Sequence, residues 1–268
     1  MSVLVIRVLM TRACACTLAL VMLAAVPVGA QVQGAAGYGT ESEAWTWPER
    51  IDVSASVGDF HPAGKSELFA LLDSALVPGS RALRPRLVSA ELHLRMTDRL
   101  GLLLGATTGG ITVGSVSQVQ PEPASGDVRQ HTALDITSLQ YLGAEWRLVR
   151  WRGSGRPSAD RLRLMLGAGA GVARYRLHQW GSFVDVPRRL EYQDDFRSSG
   201  RGAIGYVSAG IEVPVDPAIA LHGEVRRQTG SAPMSADYST FDRIDLGGTT
   251  LSLGVLLHWN PATGVRGR

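Results

Sequence analysis

Side chains alternate between apolar and polar character along much of this chain. In the C-terminal stretch TTLSLGVLLHWN, one parity carries the large apolar side chains of Leu251, Leu253, Val255, Leu257 and Trp259. The other parity carries Ser252, Gly254 and His258. Successive side chains of a β-strand point to opposite faces of the sheet. This period of two therefore predicts a strand with one apolar face and one polar face.

The same alternation marks eight segments, which we interpret as the strands of an all-β fold. They span residues 51–59, 86–96, 100 to about 116, 134–148, 161–177, 203–213, 219–228 and 249–259. Two strands change phase, at Gly109-Gly110 and near Gln140, which predicts a bulge or a change of environment at each place. After residue 30, no apolar run approaches the roughly 20 residues that a membrane-spanning helix needs.

The connections between these strands differ in length. Those at 97–99 and 214–218 are short enough for tight turns. Longer connections span residues 60–84, 117–131, 179–202 and 230–247. Short turns at one end of a sheet and long loops at the other are typical of outer-membrane barrels.

The first thirty residues have the features of a secretory signal peptide. They contain Arg7 and Arg12, then an apolar stretch of about 14 residues and small residues up to Ala30, where we predict cleavage. Both cysteines, Cys14 and Cys16, lie in this segment, so the mature chain has no thiol for a disulfide or a metal. Without this segment 25 basic residues face 24 acidic ones. That balance gives no reason to expect a nucleic-acid partner.

Alternation alone leaves open which face meets water. In a soluble lipocalin-like barrel the apolar parity points inward, whereas in a membrane barrel it points outward. Very small residues on the polar parity, such as Gly167, Gly169 and Gly171, suit the narrow lumen of eight strands. Charges of both signs share that parity, and an arginine facing lipid at the bilayer midplane would cost about 2–4 kcal/mol. We therefore predict a lumen network of Glu91, Arg95, Glu145, Arg147, Glu212, Glu224 and Arg226.

Tryptophan positions favour the same orientation. If strands alternate in direction from a periplasmic N-terminus, most tryptophans fall at the short-turn end and Trp180 falls near the long-loop end. The residues at the short-turn end are Trp45, Trp47, Trp146, Trp151 and Trp259. Amphipathic aromatic side chains collect at membrane interfaces.

The last strand resembles the β-signal of bacterial outer-membrane proteins, which the barrel-insertion machinery recognises. In that signal a polar residue is followed two places on by glycine, and then by a hydrophobic residue and a final aromatic. Ser252, Gly254, Leu257 and Trp259 occupy these positions. Members of the family commonly end at the aromatic, whereas this chain continues to Arg268.

With the signal peptide, the eight strands and the loop asymmetry, the chain resembles the OmpA/OmpX-type family of outer-membrane barrels. The resemblance implies that residues 49–259 form an eight-stranded antiparallel up-and-down transmembrane β-barrel. The barrel would lie in the bacterial outer membrane. A signal peptide at 1–30 and a periplasmic segment at 31–48 would precede it, and a short tail at 260–268 would follow. The implied partners are outer-membrane lipid, lipopolysaccharide and the insertion machinery. We expect no cofactor and no metal, and no external partner is indicated.

Three kinds of function fit this reading. The first is a structural or surface-interaction role, in which the long loops present Phe69, Phe183, Tyr192, Phe196, Tyr238 and Phe241 outside the cell. The second is a narrow channel or a lateral pathway for small hydrophobic molecules, with a pocket lined by Leu103, Tyr141, Met165 and Tyr206. The third is a soluble periplasmic lipocalin-like binding barrel. The family resemblance also includes lipid A deacylases with a His-x-Ser pair, which is absent here, so we expect no catalysis.

Overall fold

The structure is a computed structural model that describes residues 50–97, 99–119, 121, 126–152, 160–216 and 218–259. The predicted signal peptide, periplasmic segment and C-terminal tail lie outside the described residues. The described part contains one α-helix, α1 (Glu67–Ala75), and two 3₁₀ turns, Ser80–Ala82 and Ala236–Tyr238. Its strands are β1 (Arg50–Pro62), β2 (Leu76–Val77), β3 (Arg86–Arg95), β4 (Leu100–Ser117), β5 (Arg129–Arg152), β6 (Asp160–Asp185), β7 (Leu190–Pro214), β8 (Ile219–Pro233), β9 (Arg243–Asp245) and β10 (Gly248–Trp259).

Eight of these strands form a closed antiparallel ring. Their order around the ring is β1, β3, β4, β5, β6, β7, β8 and β10. The ring closes because β10 pairs with β8, where Leu257 faces Ile219, and also with β1, where Trp259 faces Ile51. Closure leaves no strand edge unpaired within the ring. The predicted eight-stranded up-and-down barrel is confirmed.

Strands β5, β6 and β7 extend furthest beyond the bounds that the sequence predicts. The connection predicted at 179–202 is instead a β-hairpin, in which β6 continues to Asp185 and β7 begins at Leu190. The prediction was wrong because the stretch EYQDDFRSS lacks alternating aliphatic residues. The register from Arg174 opposite Arg201 up to Asp185 opposite Leu190 supplies the backbone hydrogen bonds of this extended ladder.

The outer wall of the barrel carries a belt of exposed apolar side chains. Leu253 is 77% exposed, and Leu142, Val207, Leu221 and Leu257 are all more than half exposed. On β6 the belt runs from Leu162 to Val172, a height of about 25 Å for a tilted strand. A soluble barrel would have to expose this surface to water, so the belt matches the hydrocarbon layer of a bilayer.

Beyond the belt, at the end opposite the short β3–β4 and β7–β8 connections, the pattern reverses. There β6 buries Tyr175 and Leu177 inside the barrel and exposes Arg174 and Arg176 on its outer wall. We call this part the extension. It comprises α1, β2, β9 and residues 129–137, 175–185 and 190–200 of β5, β6 and β7. The extension has the residue distribution of a water-soluble protein, with an apolar interior and a charged exterior.

Helix α1 closes the loop end of the barrel. Ser66 caps the helix by accepting a hydrogen bond from the Phe69 amide at 3.5 Å. The helix buries Leu68, Phe69 and Leu72 in one apolar core with residues of β1, β5, β6 and β9. No helix among the described residues is long and apolar enough to cross a membrane.

A β-bulge in β5 switches the parity of that strand. Thr137 is skipped between Ile136, which pairs with Tyr175, and Ser138, which pairs with Arg174. The neighbouring β4 shows the matching irregularity between Thr107 and Gly109, near the predicted phase change. Around Gln140 the register is continuous. The phase change seen there in the sequence arises instead because Leu139 and Tyr141 are large inward-facing residues.

We predict that Phe69→Ala will destabilise the extension while Leu71→Ala will not. Phe69 is fully buried and Leu71 is 47% exposed on the same helix. Loss of a buried phenylalanine costs about 3–5 kcal/mol, and an exposed leucine less than about 1 kcal/mol. Hydrogen exchange of the α1 amides in detergent-folded protein measures the free energy of opening of the helix in each variant. Equal protection in the two variants would contradict the packing of α1.

Candidate functional site: the closed lumen

The structure places all seven residues of the predicted network inside the barrel. Glu91, Arg95, Glu145, Glu212 and Arg226 are buried, and the side chains of Arg147 and Glu224 are only 12% and 10% exposed. They come from β3, β5, β7 and β8, each on the parity opposite the apolar belt. Asp52, His93, Arg163, His222 and His258 share the same space.

Glu91 is the centre of one half of this network. Its Oε1 accepts hydrogen bonds from Arg226 Nη2 and from the Tyr141 hydroxyl, both at 2.5 Å. Its Oε2 accepts from Ser54 Oγ at 3.1 Å. On the other face of Arg226, Nε lies 2.8 Å from Glu224 Oε1. Strands β1, β3, β5 and β8 are thereby joined across the lumen.

Asp52 and Glu212 form the second half, closer to the short turns. Arg95 Nε lies 2.5 Å from Asp52 Oδ2, and Arg163 Nη1 lies 2.5 Å from Glu212 Oε1. The ring of His258 bridges the two carboxylates, with Nδ1 2.9 Å from Asp52 and Nε2 3.2 Å from Glu212. This half ties β1, β3, β6, β7 and β10 together.

The two halves meet at Glu145. Its Oε2 lies 2.9 Å from His93 Nδ1, and its Oε1 lies 3.4 Å from Arg147 Nε. His93 reaches on to Glu91 at 3.5 Å, and Arg147 to Asp52 at 3.7 Å. Removing one residue from such a cluster leaves the charge of its partner without compensation in a poorly solvated interior. The network therefore works as a single unit.

Charges of opposite sign nearly balance among the described lumen residues. Four arginines, Arg95, Arg147, Arg163 and Arg226, face five carboxylates, Asp52, Glu91, Glu145, Glu212 and Glu224. Such pairing is what permits ionised groups to lie away from bulk water.

Arg226 marks the transition from the charged lumen to the apolar extension. Its guanidinium lies 4.2 Å from the ring centroid of Tyr141 and 4.9 Å from that of Tyr206. Glycines make room for these rings, because a Cβ at Gly105 would overlap Tyr141 and one at Gly143 would overlap the Tyr206 hydroxyl. The predicted suitability of small residues for a crowded lumen has this steric basis.

The four residues predicted to line a lateral pathway are packed into the interior of the described barrel. Leu103, Tyr141, Met165 and Tyr206 are all buried against their neighbours. The cavity above the network, between Glu91, Arg226 and Thr250, has a volume of only about 10 Å³. That is room for about one water molecule.

Three histidines in the network were missed by sequence reasoning. His93, His222 and His258 lie on the polar parity of predicted strands, so the rule that selected the charged residues could also have selected them. No sequence signal indicated the role of Tyr141. A large aromatic residue on the inward parity interrupts the alternation of apolar outward and polar inward residues. Only the fold shows that its hydroxyl meets Glu91.

The loop aromatics lie in several environments. Phe69 and Tyr238, predicted to be presented outside, are instead buried in the extension core, with exposures of 0% and 5%. Phe196 and Phe241 pack partly against that core. Tyr192 remains 41% exposed near the tip of the β6–β7 hairpin. The prediction failed because the extension forms its own core, which these side chains fill.

A hydrogen-bonded cluster lies on the outer wall of the extension. His178 Nε2 is 3.0 Å from Asp195 Oδ2, and the ring stacks on Trp180 with centroids 4.4 Å apart. Arg197 Nε donates to Asp195 Oδ1 at 2.7 Å. Hydrogen bonds from Arg197 and His178 lower the pKa of Asp195 to about 2. Asp195 therefore remains ionised at physiological pH and pairs with Arg197.

The residues of the candidate insertion signal lie on β10. Leu257 and Trp259 are about half exposed on the lipid-facing side, whereas Ser252 and Gly254 belong to the inward parity. A Cβ at Gly254 would overlap the Ala55 carbonyl oxygen of β1. Glycine is therefore required here by the β10–β1 seam as well as matching the signal.

The apolar belt outside and the charged lumen inside decide the class of protein. This chain is a transmembrane β-barrel. No family model and no curated protein matches it. The chain is similar to the outer membrane protein OprG from Pseudomonas aeruginosa, with 11% identity, 80% of this chain and 97% of that chain covered, and a TM-score of 0.41.

Two other solved structures show a comparable similarity. For the N-terminal β-barrel domain of Pseudomonas aeruginosa OprF, the identity is 12%, the coverage is 80% of this chain and 100% of that chain, and the TM-score is 0.35. For neisserial surface protein A, the identity is 14%, the coverage is 79% and 97%, and the TM-score is 0.37.

We predict strong coupling between Glu91 and Arg226. Glu91→Gln and Arg226→Gln should each lower the free energy of unfolding by about 3–5 kcal/mol, because each removes one ionic partner of a buried charge. The double variant should cost at least about 1 kcal/mol less than the sum of the two. Denaturant unfolding in detergent micelles measures this cycle. As a control, Asp127→Asn removes an exposed partner of Arg129 and should cost less than about 1 kcal/mol. Additive losses in the Glu91 and Arg226 double variant would disprove the coupling.

Proposed function

We propose that this chain is a bacterial outer-membrane β-barrel with a structural or surface-interaction role, and that it neither catalyses a reaction nor conducts ions. The observation that carries the proposal is the closed lumen. Paired charges fill its lower half and an apolar core fills its upper half. Eight strands leave an interior that side chains can fill, whereas porins of 16–18 strands leave an aqueous channel.

The tip of the β6–β7 hairpin supports a surface role. It exposes Val186 and Leu190, at 64% and 53%, beside the half-exposed Tyr192. The long paired strands hold this tip well clear of the apolar belt. Exposed apolar side chains on a rigid support favour contact with another macromolecule.

The alternatives have less support. A lateral pathway needs an interior apolar pocket, and the four residues considered for it are buried, with Tyr141 and Tyr206 packed against Arg226. A soluble lipocalin-like barrel would have to expose the wide apolar belt to water. The belt therefore argues against the soluble barrel, and the packed interior argues against the lateral pathway.

The predicted route to the outer membrane is part of the same proposal. Cleavage after Ala30 would release the mature chain into the periplasm. Recognition of Ser252, Gly254, Leu257 and Trp259 by the insertion machinery would then direct folding. Lipid and lipopolysaccharide would surround the belt.

We predict that the expressed protein will fractionate with the outer membrane and will migrate differently on gels when unboiled and boiled. A ring of strands without free edges resists detergent until it is heated. Electrophoresis of membrane fractions in both conditions measures this. Recovery in the soluble periplasmic fraction without a mobility shift would favour the lipocalin-like alternative.

We also predict that the purified barrel will give no stable ion-conductance steps in planar bilayers. Among the described residues, the extension core fills the upper lumen, and the cavity beside Arg226 has a volume of only about 10 Å³. A sixteen-stranded porin in the same bilayer provides the positive control. Stable steps whose cation selectivity changes in Glu224→Gln would show conduction through the lumen and overturn the proposal.

A further inference from the structure

A ring of outward-facing residues marks the upper edge of the apolar belt. Below it the outward positions are apolar apart from Gln140 of β5, and above it they are mostly polar. We call it the boundary ring. Its members, one per barrel strand, are Asp59, Arg86, Thr108, Ser138, Arg174, Arg201, Arg227 and Thr249. A change from apolar to polar outward positions is expected where hydrocarbon gives way to headgroups.

On one side of the barrel the arginines of this ring have partners within the protein. Arg86 lies beside Asp59, with 3.5 Å between Nε and Oδ1. Arg227 Nη1 donates to Thr249 Oγ1 at 2.9 Å. Each of these guanidiniums is therefore at least partly satisfied by its neighbouring strand.

On the opposite side, Arg174 of β6 and Arg201 of β7 are directly paired across the two strands. Both side chains are exposed, and neither has a salt bridge to a carboxylate among the described residues. Like charges directly opposite each other on a sheet are destabilising. An anion between them would remove that repulsion.

The surroundings of this pair form a shallow groove of about 360 Å³. It is lined by Thr137, Arg174, Tyr175, Arg176, Ser199, Gly200 and Arg201. The third arginine, Arg176, faces Asp135 across the β5–β6 pair. The charge of Arg176 is thereby partly offset, which leaves Arg174 and Arg201 as the main cationic groups.

We propose that Arg174 and Arg201 bind a phosphate group of a phosphorylated outer-leaflet glycolipid of the lipid A type. The planar guanidinium forks match phosphate oxygens in a bidentate manner. Immediately below them, Val172 and Ala203 belong to the lipid-facing wall. The acyl chains of the same molecule would pack there. The inference rests on the proposed outer-membrane location.

Continuity with the belt favours a lipid over a free anion. A dissolved phosphate ion would gain only the two arginines, which water screens at this exposed site. A glycolipid adds the apolar contacts of its acyl chains, which hold its phosphate at the height of the boundary ring. The geometry therefore selects an amphipathic ligand.

The test measures binding of bis-phosphorylated lipid A to the full mature barrel in phosphatidylcholine nanodiscs, by native mass spectrometry. We expect the wild type to bind it about tenfold more tightly than dephosphorylated lipid A, and Arg174→Gln/Arg201→Gln to lose this preference. Arg174→Lys/Arg201→Lys, which keeps the charge but not the fork, should retain part of it.

The matched control is Arg86→Gln/Arg227→Gln, which removes two charges from the same ring. It should change lipid A binding by less than about twofold, because those arginines have partners in the protein. Equal losses in both double variants, or a wild type that ignores the phosphates, would overturn the proposal. If the Gln variant does not fold, the wild-type preference and the Lys variant still decide. A mobility shift on heating shows that each barrel has folded, so failure here is distinct from failure of the proposed function.

Discussion

The whole structure depends on a charge placement that the bilayer enforces. Where a strand crosses hydrocarbon, its outer face can carry only apolar side chains. Every charged group at that depth must therefore point inward. Eight strands leave an interior that side chains fill, with little water to solvate those charges. Acids and arginines such as Glu212 and Arg163 must therefore solvate one another. The closed lumen follows from these two conditions together.

The same strands obey the opposite rule once they leave the belt. Along β6 the inward parity changes from Arg163 and glycines to Tyr175 and Leu177, while the outward parity changes from leucines to Arg174 and Arg176. The solvent outside changes from acyl chains to headgroups and water, so apolar groups gain by moving inside. One continuous hairpin therefore belongs to a membrane barrel at one end and to a soluble domain at the other. Arg226 and its two tyrosine neighbours lie where these regimes meet.

Sequence periodicity was most informative where the two faces differ most strongly. In Arg86–Arg95 and Gly248–Trp259 the aliphatic parity is unbroken, and the strands lie close to their predicted bounds. In Leu190–Ser199 polar residues occupy both parities, so only pairing with β6 makes this segment a strand. Helix α1 had a local signal in the sequence, a serine cap before an apolar helical stripe. Its position in the fold, however, depends on a core formed by residues of distant strands. Phe69 and Tyr238 were misplaced for that reason.

By itself the sequence determined the number of strands, the direction of their apolar faces and the parity on which the charged residues lie. These properties are local, because a period of two fixes the face of each side chain relative to its neighbours. Only the tertiary structure decided which charges meet, how far the hairpins rise above the belt, and that Arg174 lies opposite Arg201. Those facts depend on register between strands far apart in the chain, as with Asp52 and His258, which are 206 residues apart. Register is set by closure of the ring, which no single strand encodes.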